Sequence, residues 1–214
     1  MLRALFLWYN VIKEGVFMKY NRTMKIYGKA YYFISARKVY DKATKKAIFN
    51  EYRNIIERAG DIGQHNLLLN SYALAAYFIA LVRKSGKSAD ENIKLLEDGI
   101  SGNPLVKLVL GTNNSYFNEK RMKQRYEWAK QTKQKKYKND WVVEVRGKNE
   151  ERDMSYDYYE CGVCKLCNDE GCPELAKYLC RLDFLLVETM GIGLKRTQTI
   201  AEGAEYCDFR FYKK

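Results

Sequence analysis

Trp141-Val142-Val143-Glu144-Val145 and Ser155-Tyr156-Asp157-Tyr158-Tyr159 are the stretches that decide the fold. Both are short, rich in β-branched and aromatic residues, and read as strands. The chain before them carries the other period. Over Ala36–Arg58, Val39, Ala43, Ala47, Ile48, Tyr52, Ile55 and Ile56 recur at helical spacing with lysines and arginines between them, and Gly60 stops the pattern. Leu67–Val82 is apolar nearly all round, interrupted by Asn70 and Ser71, which makes it short for a membrane span and predicts a central buried helix. Ser88-Ala89-Asp90-Glu91 is a capping box that opens another helix, broken at Gly102-Asn103-Pro104. A long basic helix is expected from Asn118 to about Gln134.

After the two strands the pattern predicts a short helix carrying Cys164 and Cys167, one longer helix and two more strands. Pro173 suits the first position of a helix from Glu174 to Thr189, closed by Gly191 and Gly193. Leu194–Ile200 and Tyr206–Tyr212 read as strands joined through Glu202-Gly203-Ala204. Helices first, then strands around one helix, is an α+β arrangement: a helical N-terminal half followed by an antiparallel sheet packed against helices.

The 214 residues suit one domain with an extension. Residues 1–24 read as an N-terminal extension and 25–214 as a single α+β domain, helical over 25–138. The first residues have a short apolar run without a small-residue cleavage site, so no secretory signal is read there, and Met18 and Met24 are alternative starts. Reduced thiols in the cytoplasm are therefore expected. The formal net charge is +12, much of it in Lys120–Lys138. Such a run reads as a solvated helical face with a lysine-rich loop in preference to a nucleic-acid site. No membrane partner is expected, and a homo-oligomer is left open.

All six cysteines lie between Cys161 and Cys207. Cys161, Cys164, Cys167 and Cys172-Pro173 nearly match an iron–sulfur run, one residue too long in the last interval, and could equally supply thiolates to zinc. A metal-binding or redox-sensing module is thus the alternative to any pocket chemistry. Cys180 and Asp183 are three apart in a helix and share a face, so a nucleophile–base pair can be built there, with Arg181 beside it to lower the thiol pKa. In the last strand Cys207, Phe209 and Phe211 face one way, Asp208 and Arg210 the other. His65 is the only histidine, with nothing local to build a triad.

Taken in order, Glu160-Cys161-Gly162, Gly171-Cys172-Pro173-Glu174-Leu175, Tyr178-x-Cys180-x2-Asp183, Leu194-x-Arg196-Thr197-x-Thr199-Ile200-Ala201-x-Gly203 and Cys207-Asp208-Phe209-Arg210-Phe211 resemble the L-2-amino-thiazoline-4-carboxylic acid hydrolase family. The resemblance is specific over about 141–211 and covers the helical half only in outline, so 139–214 is the family-like part. It implies hydrolysis of a cyclic amidine: attack at C2 of the thiazoline ring, a tetrahedral intermediate, and opening of a C–N or C–S bond to give a carbamoyl-cysteine. A small-molecule carboxylate substrate is implied, and no cofactor or metal is called for. On that resemblance Cys161, Cys180 or Cys207 is the nucleophile or lines the pocket, and Asp183 is the base or orients the nucleophile. Arg196 or Arg210 holds the substrate carboxylate, and Asp208 orients the arginine or the amidine. Cys180 with Asp183 is the preferred pair.

Overall fold

The computed structural model describes residues 20–63, 66–111, 116–150 and 152–214. His65, and most of the extension expected over 1–24, lie outside them. The described elements run α1 (Arg22–Ser35), α2 (Lys42–Ala59), α3 (Leu69–Lys84), α4 (Ala89–Ile100), α5 (Pro104–Leu110), α6 (Glu119–Thr132), β1 (Val142–Arg146), β2 (Met154–Glu160), α7 (Gly162–Asp169), α8 (Ala176–Thr189), β3 (Ile192–Lys195) and β4 (Cys207–Lys213). Helices precede a four-stranded antiparallel sheet of order β1-β2-β4-β3, the expected α+β arrangement.

α3 is the centre of the helical half. Every residue from Tyr72 to Leu81 is buried. α1, α2, α4 and α7 all pack on it. Two of its polar groups are matched from outside the helix: Ser35 Oγ and Tyr77 OH are 3.1 Å apart, and Tyr31 OH donates to Asn70 O. α4 opens with the expected capping box, Ser88 and Glu91 bonding reciprocally. It crosses α1 at Gly99, where a Cβ would sit 2.2 Å from the Ile34 carbonyl oxygen. No helix among the described residues is long and apolar enough to cross a membrane.

Three boundaries depart from the sequence reading for local reasons. The helix expected over Ala36–Arg58 begins only at Lys42, because Asp41 caps it by accepting from the Thr44 amide at 2.7 Å, while residues 36–40 form a turn. Two further helices, α1 and α5, were outside that reading; Asn21 and Asn103 are their N-caps, and Pro104 takes the first position of α5. The strand expected over Leu194–Ile200 stops at Lys195, because the Asp208 carboxylate accepts from the Thr197 and Gln198 amides and draws the chain off the sheet. A short 3-10 turn, Ile200–Glu202, follows, and Gly203 (φ 94°) completes it.

The sheet has two unlike faces. Met154, Tyr156, Cys207, Phe211 and Ile192 are buried on the face toward the helices, where Arg125 of α6 reaches Met154 and Arg196 covers Phe209. On the other face Asp157 accepts from Arg146 of β1 and Arg210 of β4, both at 2.5 Å. β2 is the inner strand between them, and Asp157 is only 3% exposed.

Gly99→Ala therefore forces α1 away from α4, since the obstructing atom is backbone and cannot rotate aside. A loss of about 1–3 kcal/mol is expected in chemical denaturation. An unchanged midpoint would show that the crossing is looser than drawn.

Candidate active site

The triplet Glu160-Cys161-Gly162 is the junction between β2 and α7, and each residue is there for a different reason. Glu160 is held by Lys165 at 2.6 Å and Lys135 at 2.5 Å, and these bonds keep its pKa below the ordinary range. Cys161 is the N-cap of α7. Gly162 must lack a side chain, because a Cβ would stand 2.6 Å from the Asn139 carbonyl oxygen and 2.8 Å from the Trp141 ring.

At this junction Cys161 is the cysteine placed to ionise. The neighbouring Cys164 thiol favours its ionised form, and although burial opposes ionisation, the Val163 and Cys164 amides at the helix start add to the pull. The net shift is downward. The geometry has no closed side-chain capping bond, so the amides act on the charge of the thiolate more than on the neutral thiol.

Cys172 is shifted down as well, by the Cys167 thiol and by Arg83 against the opposing effect of burial, whereas the remaining thiols are pushed the other way. Burial raises Cys180, and the neighbouring Asp183 carboxylate raises it further. The shared helix face, expected to activate Cys180, thus suppresses its ionisation, because a negative neighbour disfavours a thiolate. Arg181 does not help: it turns outward to Glu97 at 3.3 Å. Cys207, on the helix-facing side of β4, is pushed up to about 11 by burial, and its sulfur accepts from the Ile200 amide at 3.2 Å.

Asp183 and Arg196 form the charged part of the cluster. Arg196 Nη1 donates to Asp183 Oδ2 at 2.7 Å and Nη2 to the Cys180 carbonyl at 3.1 Å. Its guanidinium lies between Phe184 and Phe209, 4.8 and 5.0 Å from the ring centroids. The Arg196 side chain is 8% exposed. Asp183 is deep by the mass of protein around it, yet 35% of its side-chain surface is open. The open surface decides access: water or a small molecule can reach the carboxylate. Burial outweighs Arg196 and raises the Asp183 pKa to about 6. The shift makes ionised Asp183 a cost to the fold. Stability from this group is full below the ordinary carboxylate range and is lost as pH rises through about 6.

The structure brings Cys161, Cys180, Asp183, Cys207 and Arg196 into one electrostatic neighbourhood on the helix-facing side. It does not bring Asp208 or Arg210 there. Both point to the opposite face of β4. Arg210 is committed to Asp157, and Asp208 to Thr197 and Gln198, including Thr197 Oγ1 at 2.7 Å. Burial alone would raise Asp208, but these bonds hold it below its ordinary value. The alternation in β4 was legible from sequence; which face held the cysteine cluster was not.

The four-cysteine run divides into two pairs. Cys161 lies with Cys164, and Cys167 with Cys172. Among the described residues no three His, Cys, Asp or Glu side chains converge as metal ligands. The helix separates the pairs, Cys167 facing the core at 0% exposed. Tyr158 escaped the sequence reading. It sits on β2 just ahead of Cys161 and is close enough to Cys161 and Asp183 for both charges to act on its hydroxyl.

A family model described as L-2-amino-thiazoline-4-carboxylic acid hydrolase matches residues 68–211. The chain belongs to this family. The match begins at the head of α3 and so takes in much of the helical half, further than the motifs alone carried the resemblance. It ends in β4 and spans every element of the cysteine–Asp183–Arg196 cluster. Searches of curated proteins and of solved structures give no match.

Alkylation by iodoacetamide at mildly acidic pH, mapped by peptide mass, should label Cys161 before Cys180 and Cys207. First labelling at Cys180 would contradict the electrostatic assignment.

Proposed function

We propose that this member of the family opens the ring of a 2-amino-thiazoline-4-carboxylate or a closely related cyclic amidine acid, with Cys161 as nucleophile and Asp183 as proton carrier. The observation that carries the reading is the position of Cys161: of the two thiols biased toward ionisation, it is the one at a helix N-terminus and within electrostatic reach of a partly open carboxylate whose pKa lies near neutrality.

The chemistry balances as follows. The Cys161 thiolate bonds to C2, and the bond from C2 to the ring sulfur breaks. Sulfur departs in preference to nitrogen because a thiolate is the far weaker base. The departing sulfur takes the proton that the substrate's ring amidinium carried, leaving C2 joined to Cys161 Sγ and to two nitrogens in a neutral isothiourea. Water then adds to C2 and gives its proton to the Asp183 carboxylate. The C2–Sγ bond breaks, restoring the Cys161 thiolate and releasing the N-carbamoyl product. Arg196 is a positioning residue: it holds Asp183 through Nη1 and is tied to α8 through Cys180 O, so it has little freedom to grip a substrate. Cys180 and Cys207 then line the pocket as neutral thiols. All six cysteines are free, a state that a reducing cytoplasm maintains.

Purified protein should convert L-2-amino-thiazoline-4-carboxylate to carbamoyl-cysteine, followed by mass spectrometry. Cys161→Ala should lose at least about a thousandfold in kcat, whereas Cys180→Ala should retain activity within about tenfold. Equal losses in the two, or full activity in Cys161→Ala, would sink the assignment. In the wild type kcat should rise as pH increases through about 6, because Asp183 accepts a proton only when ionised. That limb should vanish in Asp183→Asn.

A further inference from the structure

The reaction above leaves the substrate carboxylate without a partner, because Arg196 and Arg210 are each held by a protein carboxylate. Arg125 is not. It lies in α6 and is 8% exposed. Its Nη1 donates to the Tyr116 carbonyl at 2.6 Å and touches the sulfurs of Met122 and Met154 at 3.6 and 3.5 Å. The guanidinium stands 4.1 Å from the Tyr116 ring centroid. Every one of these partners is neutral. Among the described residues no carboxylate pairs with Arg125. A buried cation without a counter-charge is costly, and folds keep one where an anion is to be received.

Arg125 also lines a cavity of about 280 Å³ on the helix-facing side of the sheet. Tyr116, Arg121, Trp128, Tyr156 and Tyr158 line it too, and no acidic residue does. Trp128 is 5% exposed, and its indole N–H has no hydrogen-bond partner. Burial raises Tyr116 to about 12 and holds Tyr156 and Tyr158 well above the ordinary phenol range, so all three hydroxyls stay protonated and can donate. The cavity thus presents two cations, the unpartnered Trp128 N–H and flat aromatic walls. Its volume falls at the low end of the roughly 300–1,000 Å³ typical of ligand clefts, which suits one small ring and excludes a peptide.

Tyr158 links this cavity to the reacting groups. It stacks on Tyr156 with centroids 5.6 Å apart, packs edge-on to Phe209 at 5.2 Å, and feels the charges of Asp183 and Cys161. Phe209 in turn lies under Arg196.

We infer that this cavity is the anion end of the substrate site: Arg125 receives the carboxylate of a small cyclic acid, and Tyr156, Tyr158 and Trp128 enclose its ring. The inference rests on the hydrolase reading for where the reacting carbon lies. The specificity that follows is for free single-ring acids, with their esters and amides rejected. Arg121 adds positive potential at the cavity, and Arg125 makes the bidentate contact that a guanidinium offers a carboxylate.

The test uses L-thiazolidine-4-carboxylate, whose saturated ring has no C2 amidine to attack, and its methyl ester, titrated calorimetrically into the full chain. The acid should bind wild type at least about tenfold more tightly than the ester. Arg125→Gln should lose at least about tenfold for the acid, and Arg125→Lys should recover part of that loss. Because Arg125→Gln also removes a bond to the Tyr116 carbonyl, its circular dichroism is compared with wild type. If it misfolds, Arg125→Lys and the acid-against-ester ratio in wild type decide alone. Cys161→Ala should bind the acid as wild type does. Equal affinity for acid and ester, or no binding of either, would overturn the inference. Arg125-dependent acid binding in a protein that never turns over the thiazoline would overturn the hydrolase reading and leave this one standing.

Discussion

The burial of α3 is the constraint on which the rest of the structure depends. A helix with no polar face has to be covered on all sides, and α1, α2, α4 and α7 do the covering. α7 is thereby fixed against the core, and with it the amide groups at its N-terminus. Cys161 gains its electrostatic character from that fixed end. The Cys161 thiol is consequently held by packing set in the most apolar segment of the chain, and the family match begins at the head of this same helix.

Among the described residues, charge in the interior mostly follows a simple rule. Asp157 is shared between Arg146 and Arg210, Glu170 between Arg58 and Arg83, and Asp183 is bonded by Arg196. Each of these groups is neutralised where it lies, as the cost of isolated buried charge demands. Arg125 breaks the rule, and it breaks it at a cavity. The contrast between Arg196 and Arg125 matters most here: two arginines on the helix-facing side of one sheet, one held by a carboxylate and the other met only by neutral groups.

The cysteines show how position overrides residue type. Six thiols of identical intrinsic acidity are spread over a short stretch, and the fold sends Cys161 and Cys172 down and Cys180, Cys207, Cys164 and Cys167 up. The same Asp183 that makes the neighbourhood useful for proton transfer suppresses Cys180. A carboxylate one helical turn from a thiol looks like a catalytic pair in sequence, and electrostatically it is an opposing pair.

The amino-acid sequence by itself determined the α+β order, the central buried helix, the capping box at Ser88, the two faces of β4 and the family, because each of these is written in local periodicity, in capping chemistry or in motifs a few residues long. It also marked Glu160-Cys161-Gly162 and Arg196 as residues of interest. Only the tertiary structure decided which cysteine can ionise, that Asp208 ties down a loop, that Arg210 is spent on Asp157, and that Arg125 turns inward from a run of lysines that face solvent. The spacing of Arg125, Trp128, Ala129 and Thr132 is helical and would have placed Arg125 on the buried stripe, but no local pattern says whether an acid will meet it there. The physical reason is the range of the interactions. Helix and strand formation depend on neighbours a few residues away, whereas the pKa of a thiol and the pairing of an arginine depend on charges brought from distant parts of the chain, and those distances exist only once the chain has folded.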